Sequence, residues 1–194
     1  MAKPGFHQRL QALSLRQQQG FMAALTERML PNYALYADTS GHGDISGMRV
    51  ILDLVWEQLT VKDARIDFDR QAEKLAELEP PADDDSFGAR RALDAVVALS
   101  AILDTMRGDA PDAVLEVSRV SRAAVRGFIE LTEGEDDAER LAQMVKTHPL
   151  MEDENDFQDA ALEEAEAEPS KKQMKVLKNL GRNGGVSNLG LTLD

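Results

Sequence analysis

An all-α fold, an irregular multi-helix bundle of about eight helices with no sheet, follows from three features of the sequence. Apolar residues recur at a period near 3.6, and no period-2 run is bounded by turn signals. The residues that lose least freedom on entering a helix (Ala, Leu, Glu, Gln, Arg, Met) abound, while aromatics make up only 5%. Gly, Pro and capping residues fall between the periodic segments.

Ser14 followed by Gln17 forms a capping box, and Leu15, Met22, Leu25 and Met29 supply an apolar face, predicting a helix from about residue 15 that stops before Pro31. Pro31 to Tyr36 reads as a short restarted helix, broken by Thr39 to Gly43. Asp44 or Ser46 can cap the next helix, Met48 to Val61, which is apolar around most of its circumference and therefore reads as the central one. Asp67 caps a helix reaching about Leu78, stopped by Pro80-Pro81. Two long helices follow, Phe87 to Arg107 and about 113 to 131, the latter ending before Gly134. Three more are expected near 136–146, 151–167 and 170–180. Residues 1–180 thus read as one helical domain and 181–194 as a Gly-containing C-terminal tail of mobile character.

Composition narrows the function classes. With 35 acidic against 22 basic residues the net charge is -13, which repels polyanions and anionic membranes, so neither nucleic acid nor membrane is an expected partner. The absence of cysteine removes disulfides and thiolate chemistry, and together with the lack of an apolar leader it suggests the cytoplasm. No Gly-x-Ser-x-Gly elbow or dinucleotide loop occurs, and no Glu precedes a His by three positions. No cofactor is expected.

The runs Glu27 to Ala34, Ile51 to Glu57 and Leu59 to Ala64 resemble the bacterial YjaG-like proteins, a family of unknown function. Further agreement lies in Phe68-Asp69, Asp94-Ala95, Val97 to Ser100, Glu116 to Ser118 and Ser187 to Gly190. The resemblance spans most of the chain and implies an all-helical fold without implying catalytic or ligand residues. Glu154 to Gln158 departs from the family pattern, which has tryptophan at or near Phe157.

Three sets of residues are candidates for function. Arg49, Asp53, Glu57 and Thr60 share about 80° of arc on the Met48 to Val61 helix. Asp53 and Glu57 beside Trp56, with Tyr33, His42 and Asp44 at the edge, could form an acid/base pair or grip a divalent cation; the alternative is a plain solvated face. Arg119, Arg122 and Arg126 make a stripe suited to anions or an acidic partner, or to the chain's own carboxylates. The acidic segment after Met151 and the basic one after Ser170 can pair as a hairpin across Pro169, supported by Phe157, Leu162, Met174 and Leu177. The leading expectation is a non-catalytic protein that binds another protein, or a second copy of itself, through these charged helices or the Tyr33/Tyr36 region. A small-molecule or metal site at Asp53 and Glu57 is the alternative.

Overall fold

The computed structural model describes residues 2–108 and 110–193. Among them are nine α-helices and no strand: α1 (Phe6–Ala12), α2 (Leu15–Ser40), α3 (Ile45–Thr60), α4 (Phe68–Ala76), α5 (Phe87–Arg107), α6 (Ala113–Glu133), α7 (Ala138–Thr147), α8 (Pro149–Glu166) and α9 (Lys171–Arg182). A 3-10 turn, Asn183–Gly185, follows α9.

Local chemistry sets most boundaries. The Ser14 hydroxyl accepts from the Gln17 N–H while Gln17 Oε1 accepts from the Ser14 N–H at 2.8 Å, completing the capping box. Asp67, Ser86, Asp137 and Ser170 cap α4, α5, α7 and α9 in the same sense. Gly41 and Gly134 end α2 and α6 in the left-handed region. Asp44 stands at the N-cap of α3, but its side chain makes no cap hydrogen bond. Helix α1 is an addition to the predicted set, buried through Leu10.

The centre of the fold differs from the sequence-based expectation. It is α2, which packs against α3, α5, α6, α8 and α9 and has every residue from Gln19 to Leu30 buried. Nor does α2 stop before Pro31. The proline removes the hydrogen bond to the Glu27 carbonyl, a cost normally sufficient to break a helix. Here helices on several sides hold the segment in place, and it continues to Ser40.

The C-terminal tail also differs from expectation. Gly181 lies inside α9, and Ser187, Asn188 and Leu189 are buried. Leu189 joins Ala124, Val125, Ile129, Val145 and Met151 in a second, smaller core between α6, α7 and α8. The segment is tied down because its polar groups find partners in the interior.

Candidate functional site

A carboxylate in the middle of α2 organises the charged groups of this face. Glu27, with a side chain only 1% exposed, accepts a bidentate pair of hydrogen bonds from Arg49 and a third bond from Trp56 Nε1 at 2.8 Å. Burying a carboxylate costs several kcal/mol unless donors replace its water, and three N–H groups do so here. Burial alone would lower the Arg49 pKa, but its bonds to Glu27 and Asp53 outweigh this and hold it above the ordinary arginine value. Arg182 Nε stands 4.0 Å from Glu27 Oε2, and Lys178 Nζ 3.7 Å from Asp53.

The two members of the predicted acid pair on α3 have different surroundings. Asp53 bonds Arg49 and faces Lys178, whereas Glu57 is exposed and makes no ion pair among the described residues. Trp56 is buried, and its indole N–H serves Glu27. His42 is exposed in the loop before α3. Among the described residues no three His, Asp or Glu side chains are grouped as a metal would need.

Tyr33 is fully buried and works as a brace. Its hydroxyl donates to the Leu78 carbonyl at 2.6 Å and accepts from the Asp44 N–H at 3.1 Å, joining the end of α4 to the start of α3. Burial raises its pKa, keeping the phenol protonated. Gly43 makes the contact possible: its φ is +86°, and a Cβ there would stand 2.5 Å from the hydroxyl. Tyr36 is likewise buried and donates to Asp84.

The three arginines of the α6 stripe have unequal surroundings. Arg122 lies over the ring of Phe6, 4.8 Å from its centroid, while Arg119 and Arg126 are exposed. The C-terminal hairpin packs through buried Phe157, Leu162, Met174 and Leu177, as expected from the sequence. Its charges do not pair across α8 and α9, however: Lys178 and Arg182 turn to α3 and α2, and Glu166 of α8 pairs with Arg9 of α1.

Sequence reasoning missed a second polar set. Glu154, fully buried, accepts from Ser121 at 2.6 Å and Gln158 at 2.8 Å, and burial pushes its carboxyl above the usual range. Asn188 donates to the Ser121 carbonyl, accepts from Asn32 at 2.8 Å, and gives its backbone N–H to the Arg28 carbonyl. Arg28 stacks on Phe157, 4.2 Å from the centroid.

Two concavities flank the first turns of α3. One, about 320 Å³, lies between α2, α3 and residues 184–193, with Leu30, Pro31, Ala34, Ile45 and Leu193 against Glu27, Arg49 and Arg182. The other, about 440 Å³, is a groove between α3 and α4 lined by Val50, Ile51, Gln71, Lys74 and Leu78, with Asp44 at its Tyr33-braced end. Between them runs the exposed ridge of α3, where Val50 is 54% exposed.

These features define an all-α protein built on a central buried helix with a charged, pocketed face around α3. Residues 5–192 match the family described as "Protein of unknown function (DUF416)", and the chain belongs to that family. It is 39% identical to "Uncharacterized protein YjaG" of Escherichia coli K12 over 98% of both chains. An "Uncharacterized protein" of Haemophilus influenzae is 37% identical over 95% of each. A crystal structure of a DUF416 family protein from Shewanella baltica OS155 superposes with a TM-score of 0.90 at 34% identity, covering 98% of this chain and all of that one. No helix among the described residues is long and apolar enough to cross a membrane.

Proposed function

We propose that the protein is a non-catalytic, cytoplasmic binding protein that docks a basic protein segment in the groove between α3 and α4. The observation that carries this reading is the exposed Val50 at that groove, where the half-buried Leu78 adds apolar surface. A second feature supports it. Gln71 is buried in the groove wall with its Oε1 unpaired, leaving an acceptor that a partner's N–H can reach once the wall adjusts. Asp44 and Glu77 outnumber Lys74 on the rim, and the whole chain carries -13, so both near and far fields favour a cationic partner.

A photo-reactive amino acid placed at position 50 in living cells tests this, with Leu131, an exposed residue of α6, as the control position. The expected result is a discrete adduct with a basic protein at 50 that is missing at 131. Identical adducts at both positions, or none at 50, would reject the docking groove. The acid pair of Asp53 and Glu57 does not support a competing reading, because Asp53 is already neutralised by Arg49 and Lys178.

A further inference from the structure

We propose that the cleft on the other side of α3, between α2 and residues 184–193, binds a carboxylate carried on a short aliphatic group, with Arg182 as the contacting cation. This does not rest on the docking groove, which lies across the α3 ridge and uses other residues.

The charges around the cleft specify the ligand's sign. Among the described residues, Arg49, Lys178 and Arg182 face only Glu27 and Asp53, so the described side chains of the cleft carry one positive charge in excess on a strongly acidic chain. That excess resides on Arg182. Arg49 spends its donors on Glu27 and Asp53. Arg182, with a side chain 50% exposed, meets among the described residues only Glu27, at 4.0 Å, beyond hydrogen-bond length. Its planar fork is suited to a carboxylate received bidentately.

The rest of the lining specifies the ligand's body. Leu30, Pro31, Ala34, Ile45 and Leu193 make the walls apolar, and the volume of about 320 Å³ is at the small end for organic ligands. A dianion such as phosphate would face the buried Glu27 carboxylate with only one surplus cation and would leave the aliphatic walls without a partner. A cation has no vacancy to fill, because Glu27 already accepts three hydrogen bonds. A monoanionic carboxylate with an aliphatic tail satisfies both ends. Such a group is offered by a free short-chain acid or by the C-terminal leucine of a peptide.

Trp56, the only tryptophan, bonds to Glu27 and so reports on the cleft through its fluorescence. The full-length protein is titrated by fluorescence and calorimetry with hexanoate, hexanamide, and a short peptide ending in leucine as the free acid or the amide, each to about 10 mM. Saturable binding of either acid, weakened about tenfold or more in its amide and in Arg182→Ala, is expected. Tighter binding of hexanoate identifies a free acid as the natural source, and tighter binding of the peptide a chain terminus. Because Arg182 is half-exposed, R182A is expected to keep the wild-type melting temperature; Leu193→Asp, also at an exposed position, should weaken acids by repulsion. Amides binding as well as acids, undiminished binding in folded R182A, or no saturable binding of either acid would overturn the proposal.

Discussion

Trp56 donates its indole N–H to Glu27 Oε1 at 2.8 Å, so the lone tryptophan of α3 is held by a carboxylate buried in α2. Removing that carboxylate leaves the Trp56 donor unpaired and strips Arg49 of its bidentate partner. Glu27→Ala is therefore expected to cost about 3–5 kcal/mol, the penalty of an uncompensated buried charge. Glu27→Gln retains an acceptor for Trp56 and should cost less. Denaturant unfolding followed by tryptophan fluorescence measures both, and equal stability of Glu27→Ala and wild type would show that the set does not hold α2 to α3.

Gly181 packs α9 directly against the backbone of α2. A Cβ at this position would lie 2.3 Å from the Ala24 carbonyl oxygen and 2.8 Å from Glu27 Cβ, neither of which can swing aside. Gly181→Ala should destabilise by at least about 1–3 kcal/mol through overpacking, despite alanine's better helix propensity. Gly127→Ala is the informative contrast. Its Cβ would meet the tip of Arg91, a flexible group that can move, so a far smaller change in melting temperature is expected.

The helix ends were legible because caps act locally: Ser86 and Gly108 bracket α5 at the residues where the pattern places them. The central helix was not. Periodicity reveals a helix with one apolar face, whereas α2 is enclosed on several sides and buries Gln19, Glu27, Arg28 and Asn32 by pairing or stacking most of them. Nothing local in the sequence marks those polar residues as buried. For the same reason the candidate site was displaced by one helix: Arg49, Asp53 and Trp56 were visible on α3, but the Glu27 that gathers Arg49 and Trp56 is 22 residues from Arg49, and no local spacing connects them. Asp53 and Glu57 share a helix face, yet nothing in their spacing shows that Lys178 of α9 comes to Asp53.

Asn188 explains why a glycine-containing terminus is ordered. Its amide meets Asn32 and Ser121 and its backbone meets Arg28, linking the last segment to α2 and α6. Asn188→Ala leaves buried polar groups without partners and is expected to cost about 1–3 kcal/mol. Hydrogen exchange should show faster exchange across residues 186–191 in this variant while α5 keeps its protection.

Asp94 supplies a pH dependence of known sign. Its carboxylate lies 2.8 Å from Arg91 Nε, but off hydrogen-bond alignment, and burial outweighs the guanidinium and raises its pKa to about 6 from 3.8. Between these values the folded chain holds a proton that the unfolded chain has released. The stability this contributes is therefore fully present below the unfolded pKa and is lost as pH rises through the folded one. Asp94→Asn removes the titration while keeping the shape. The stability of wild type relative to D94N should thus fall between pH 4 and 7, by at most about 3 kcal/mol, since each pH unit of displacement corresponds to about 1.4 kcal/mol. Urea unfolding of both proteins across that range measures it. A difference that grows in favour of wild type as pH rises would mean that the Arg91 ion contact, and not burial, controls this carboxylate.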